Sequence, residues 1–176
     1  MFLRGQYSTP VGTLHYRIDE GGLRRLSFKR DEIRSEAEEL RERDGGEQGE
    51  RLYRIEEELL KGLDAYFHRK VWDFRLSLNY EGITPVYRRI YVTLRGVGWG
   101  EVVSYSELAE MAGVRRGARA VGGAMSRNPF VIIVPCHRVV GRNSLGGFSA
   151  GLERKIWLLR HEGVESLEFF RGTRRI

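Results

Sequence analysis

The chain has 176 residues, with 30 basic against 24 acidic side chains, a net charge of +6 and a pI near 9.7. Its single cysteine excludes an internal disulfide, four scattered histidines add no zinc-ligand cluster, and no run of about 18 apolar residues supports a membrane span. These bounds favour a cytoplasmic, metal-free protein without a membrane role, and the opening MFLRGQYSTPVG has no apolar signal core. The basic excess is almost all arginine, with lysine only at 29, 61, 70 and 155, which suits phosphate recognition as well as solubility and ion pairing.

Residues 2–29 predict an antiparallel meander of three strands, FLRGQYS, GTLHYRID and LRRLSFK, broken by turn chemistry at Pro10 and Gly12 and at Gly21 and Gly22. Asp31 to Arg43 predicts a charged surface helix, and 44–50 a loop. From Arg51 a second helix places Leu52, Ile55, Leu59, Leu63 and Tyr66 on one stripe. Residues 71–80 alternate, as a strand or an extended connection, and 81–85 is the best boundary between domains 1–80 and 81–176. His15 and His68 read as ordinary surface or core histidines.

Thr84 and Pro85 open a helix with Val86, Ile90, Leu94 and Val97 on its apolar face. Ser104 and Glu107 form the S-x-x-E of a capping box before a short helix carrying Leu108, Ala109 and Met111, which closes at Gly113. Gly117 to Ser126 is a small-residue helix ended by Asn128-Pro129, with Arg115, Arg116, Arg119 and Arg127 in or beside it. Two short helices across a tight turn resemble a helix-turn-helix. Gly122 and Gly123 have two readings, close packing on a neighbouring helix or a smooth face that enters a nucleic-acid groove.

The apolar run Val131 to Val134 predicts a buried strand, ended by Pro135, with Cys136 and His137 where the chain leaves the core. Cys136 is a nucleophile or a small buried hydrophobe; as a nucleophile it needs a base or a positive field, from His137 or Arg138. In an extended segment the two side chains point apart, so cooperation requires a turn or a bridging water, and a turn together with a water is the expectation. Residues 141–151 form a glycine- and serine-rich loop, followed by a helix with Leu152, Ile156 and Leu159 on one face, widened by Trp157 and Leu158. Glu162, at that helix's negative end, is either a tolerated surface charge or a carboxylate with a task elsewhere, such as orienting a histidine.

SYSELAEMAG, ARAVGGAMSRNP, IIVPCHRVV and GGFSAGLERKIWLLRHEG, spread in order over residues 84–163, strongly resemble the O6-alkylguanine-DNA alkyltransferases. The resemblance implies an α+β fold. A small N-terminal α/β domain with antiparallel strands precedes a C-terminal helical, winged-helix-like domain that contains the helix-turn-helix and the active-site cysteine. It also implies repair by direct reversal: O6-alkylguanine is flipped from duplex DNA and its alkyl group passes irreversibly to Cys136, one turnover per chain. His137 acts through a water, held by Glu162, and Tyr105 assists flipping and donates to the purine. Arg119 fills the vacated space, Asn128 is the hinge, and Val139, Phe148 and Ser149 line the guanine pocket. Ser104 and Arg127 join the DNA-contacting set, and Lys155 has a supporting role near the loop. The partner is double-stranded DNA containing O6-alkylguanine, bound by a monomer that needs no cofactor and no metal. Phe148 replaces a tyrosine found in many relatives, and the cysteines of the zinc site present in some of them are missing. A non-catalytic recogniser of alkylated bases, a thiol hydrolase or acyltransferase using Cys136, His137 and Glu162, and a plain helix-turn-helix regulator are the competing functions.

Overall fold

The computed structural model describes residues 1–30 and 46–165, so the charged helix expected over Asp31–Arg43, the start of the following loop and the RGTRRI tail lie outside the described residues. The chain divides into two compact units, Met1–Glu81 and Gly82–Ile176.

In the first unit, alternation of apolar and polar residues makes the meander: β1 (Phe2–Thr9), β2 (Gly12–Asp19) and β3 (Gly22–Ser27), antiparallel in the order β1-β2-β3. Leu14, Tyr16 and Ile18 of β2 and Leu23 and Leu26 of β3 are buried. The sheet packs with helix α1 (Glu47–Phe67), whose Leu52, Ile55, Leu59, Leu63 and Tyr66 form the buried stripe that the sequence announced. The helix begins four residues earlier than the periodicity indicated: Glu47 and Glu50 sit in its first turn, where a carboxylate meets the positive end of the helix dipole. Tyr16 donates its hydroxyl to the Glu56 carboxylate, tying β2 to α1. Residues 71–80 are the extended connection rather than a full strand. They bury Phe74 and Leu76 and meet β3 at one parallel bridge, Leu23 to Leu78.

The second unit opens with α2 (Pro85–Leu94), where the Thr84 side chain accepts from the Tyr87 amide at 3.3 Å and Pro85 occupies the first turn. Ile90 and Leu94 are buried as expected, but Val86 is exposed and Tyr91 takes its place in the core, its hydroxyl donating to the Ala124 carbonyl at 2.8 Å. The two-residue strand β4 (Val103–Ser104) leads into α3 (Tyr105–Met111) with its complete capping box, Glu107 N to Ser104 Oγ and Ser104 N to Glu107 Oε2. Leu108 and Ala109 are buried there, whereas Met111 is exposed and Ala112 packs inward instead. Helix α4 (Ala118–Ser126) follows Gly117. A Cβ on Gly123 would lie 2.5 Å from the Tyr87 hydroxyl of α2, so that glycine permits close packing, while one on Gly122 would meet nothing within 4 Å. Close packing thus accounts for Gly123, and the Gly122 side of the helix is open.

The expected strand over Val131–Val134 is not formed. All four residues are buried, but they make a turn closed by Val134 N to Phe130 O at 2.8 Å, with Ile132 at φ +72°, a left-handed conformation that is costly for a β-branched residue. Asn128 imposes the turn: its Oδ1 accepts from Phe130 N at 3.0 Å and its Nδ2 donates to Val134 O at 2.8 Å. A single 3-10 turn (Cys136–Arg138) then enters β5 (Val139–Val140), which pairs in parallel with β4, Val103 to Val139 and Ser104 to Val140. The last element is α5 (Leu152–His161). Leu158 and Leu159 form its core contact; Leu152 is exposed, and the aliphatic chain of Lys155 is buried on the inner side. Among the described residues five α-helices and a small antiparallel sheet make a mixed α/β architecture, and no helix there is long and apolar enough to cross a membrane.

Candidate active site

Pro135 follows the Val131–Val134 turn, and the 3-10 turn after it carries Cys136, His137 and Arg138, all buried. The β4–β5 pairing sets this turn near the start of α3, bringing in Ser104 and Tyr105, which lie 32 and 31 residues before Cys136 on the chain. From the other side α5 delivers Lys155 and, just past its end, Glu162.

His137 Nε2 lies 2.7 Å from Glu162 Oε1, and Arg138 clasps the same carboxylate with Nε on Oε2 at 2.8 Å and Nη2 on Oε1 at 2.9 Å. Arg138 Nη1 also donates to Val97 O at 2.5 Å, and Gly100 N reaches Glu162 Oε2 at 3.4 Å. The carboxylate that opposes its own helix dipole is therefore met by donors from three residues on two segments, His137 and Arg138 on the turn and Gly100 before β4. Burial alone pushes Glu162 toward its neutral form, but the hydrogen bonds from His137 and Arg138, with the Arg138 charge, outweigh it and hold the group below the usual carboxylate range. Burial drives the His137 pKa down; Glu162 opposes this, while the charges of Arg138 and Lys155 add to it, so the ring rests neutral. With Nε2 engaged by an ionised carboxylate, Nδ1 is the nitrogen through which the imidazole can take a proton.

Burial also raises the Cys136 thiol above its ordinary pKa, offset in part by the Asn128 side chain, the Lys155 charge and the amides of Cys136 and His137. The sulfur is thus held as a thiol that must be deprotonated when it reacts. Lys155 is fully buried, donating to Val139 O at 2.6 Å and Gly147 O at 3.2 Å; burial lowers its pKa to about 8, with Cys136 pulling the other way. The Tyr105 hydroxyl accepts from Gly147 N at 3.3 Å; burial raises its pKa, the Gly147 amide lowers it and Cys136 raises it again.

The structure brings together Cys136, His137, Glu162, Asn128, Val139 and Tyr105, with Val139 wholly buried. Phe148 is half-buried and Ser149 exposed in the loop before α5, whereas Arg119 and Arg127 stand exposed on and after α4. Ser104 is the N-cap of α3. Sequence reasoning noticed Arg138 only as a source of positive field and missed its clasp on Glu162. A signal existed: a basic pair inside the apolar run VIIVPCHRVV demands a buried carboxylate, and Glu162 was the anomalous one. Tyr91, whose electrostatic neighbourhood includes Cys136, carried no signal of its own. No group of three or more potential metal-ligating side chains occurs among the described residues.

Fold and site define a mixed α/β protein built round one buried cysteine with a carboxylate-held histidine next to it. Residues 85–164 match the family model described as 6-O-methylguanine DNA methyltransferase, DNA binding domain. The methylated-DNA-protein-cysteine methyltransferase of Sulfolobus acidocaldarius is 33% identical over 172 residues, 98% of this chain and 100% of the relative. That of Shigella flexneri is 52% identical over 83 residues, 47% of this chain and 48% of the relative. The crystal structure of Mycobacterium tuberculosis OGT in complex with DNA superposes with a TM-score of 0.72 at 30% identity, covering 89% of this chain and 90% of that one. The chain belongs to the methylated-DNA-protein-cysteine methyltransferase family.

Proposed function

We propose that this protein repairs DNA by drawing an O6-alkylguanine out of the duplex and taking its alkyl group irreversibly onto Cys136. The observation that carries the reading is the buried Glu162–His137 pair, braced by Arg138, with His137 and Arg138 on the same turn as the only thiol. A base inside the stack is out of a thiol's reach, so the nucleotide is flipped at a cost of a few kcal/mol. α3 and α4 act as a helix-turn-helix; α4 enters the minor groove with its open Gly122 side, Arg119 fills the gap in the stack, and Arg127 and Ser104 join the backbone contacts. Val139, Phe148 and Ser149 line the guanine pocket, and Asn128 joins α4 to the reactive turn.

Neutral His137 takes the Cys136 proton through a water, and Glu162 stabilises the imidazolium that forms. The sulfur bonds to the alkyl carbon as the carbon–O6 bond breaks, and that electron pair stays on the guanine. Tyr105 gives its proton to the purine ring, and the proton held on His137 returns through water to the phenolate. What remains is a thioether, which has no leaving group for water to displace, so each chain acts once.

Intact-mass measurement after incubation with duplex DNA containing one O6-methylguanine tests this. A gain of one methyl per chain, mapped to Cys136 and absent from Cys136→Ala, is expected. Binding without mass gain identifies a damage recogniser instead; turnover of an ester or amide substrate identifies a hydrolase.

A further inference from the structure

Lys155 is the buried ionisable group that the proton relay leaves unused. No carboxylate among the described residues pairs with it, and both of its hydrogen bonds go to backbone carbonyls, Val139 O of β5 and Gly147 O of the loop before α5. An ammonium buried in this way is unfavourable for folding, as its depressed pKa of about 8 reflects, so its place in the site calls for another account. What its second partner does supplies one. Gly147 offers its carbonyl to Lys155 and its amide to the Tyr105 hydroxyl, at 3.2 and 3.3 Å. The residue before it, Gly146, has φ +68°, and a Cβ there would come 2.7 Å from the Tyr105 oxygen, so the loop closes on the phenol more tightly than a side chain would allow.

The geometry points to Lys155 as a positioning residue: by gripping Gly147 it fixes the loop amide that sets the Tyr105 hydroxyl as proton donor to the departing guanine. This rests on the alkyl-transfer reading. A phenol oxygen that accepts from an N–H must aim its single hydrogen elsewhere, and the accepted bond stabilises the phenolate, making the O–H a better donor. The titratable groups that feel Lys155 are Cys136, whose thiolate its charge favours, and His137, whose protonation it opposes.

Because Lys155 also favours the thiolate, the test separates the two effects. Lys155→Met, Tyr105→Phe and the double variant are compared with wild type in two rates: methyl transfer from O6-methylguanine duplex, and labelling of Cys136 by methyl methanethiosulfonate, which has no guanine to protonate. In Lys155→Met both rates fall, transfer by about tenfold more than labelling, and in the Tyr105→Phe background this excess disappears. Equal falls in the two rates, or an excess undiminished without the Tyr105 hydroxyl, overturn the assignment. If Lys155→Met does not fold, Lys155→Gln, neutral but still able to donate to a carbonyl, goes through the same cycle with a smaller excess expected. A wild type that is labelled but accepts no methyl group overturns the alkyl-transfer reading and this inference with it; transfer with equal falls overturns the inference alone.

Discussion

Burial keeps His137 neutral, and the Arg138 charge reinforces that state. Facing Glu162 alone, a buried imidazole would tend to form an ion pair; with Arg138 already clasping the carboxylate, the balanced arrangement is Glu162 and Arg138 charged and His137 neutral, ready to accept a proton. Replacing Arg138 with Met leaves a buried carboxylate short of its main partner, at a cost of about 3–5 kcal/mol, read from denaturant unfolding. With the opposing charge gone His137 titrates higher, so the acid limb of the transfer pH profile moves to higher pH. Lys155 behaves in the opposite sense. Its folded pKa of about 8 lies below the ordinary 10.5, so between these values the unfolded chain holds a proton that the folded one has released. Stability from this group therefore rises with pH across that window. The unfolding free energy of wild type relative to Lys155→Met is expected to climb by up to about 3 kcal/mol from pH 8 to 10.5. Measuring the difference in a Cys136→Ala background removes the coupled titration of Cys136 and cancels that of the buried tyrosines.

The seven residues of α3 are too few for a stable isolated helix, so its capping box and its burial of Leu108 and Ala109 hold it together. Ser104→Ala removes the side-chain acceptor for the Glu107 amide and should lower stability by about 1 kcal/mol, with a larger proportional loss in transfer than in Cys136 labelling, because Tyr105 is the first residue of the helix. Signals of this local kind were legible: the caps at Thr84 and Ser104, the meander and the stripe of α1 are all written within a few residues of where they act. The turn over Val131–Val134 was not, since four branched apolar residues announce burial but not conformation, and the bonds that bend them come from the Asn128 side chain. Likewise, periodicity proposed Val86 for the core of α2, yet Tyr91 is buried because its hydroxyl finds the Ala124 carbonyl, a partner 33 residues away. At the site the types Cys136, His137 and Glu162 were legible from chemistry and family likeness, whereas the shared grip of Arg138 and Lys155 on distant carbonyls required the fold.

At the scale of the whole molecule, a net charge of +6 supplied mostly by arginine means that binding to a duplex should be largely electrostatic and nearly indifferent to sequence. Two exposed arginines close to each other on the chain are expected to differ in kind. Arg127, just past α4, lies near Tyr87 and Gly123; since the proposed function makes it a phosphate contact, Arg127→Ala is expected to weaken binding to any sequence and lower the slope of log affinity against log salt by about 0.9. Under the proposed function Arg119, on α4 itself, fills the space of the flipped nucleotide, and Arg119→Ala is then expected to leave that slope nearly unchanged. Its transfer rate falls about 100-fold on duplex DNA, as for loss of a part that holds the reactive geometry, but little on a single strand, where no stack has to be opened. Affinity titrations at several salt concentrations, together with single-turnover transfer on duplex and single-stranded substrates, measure both. Equal salt slopes in the two variants, or an Arg119→Ala defect of the same size on single strands, would show that α4 binds DNA without taking part in flipping.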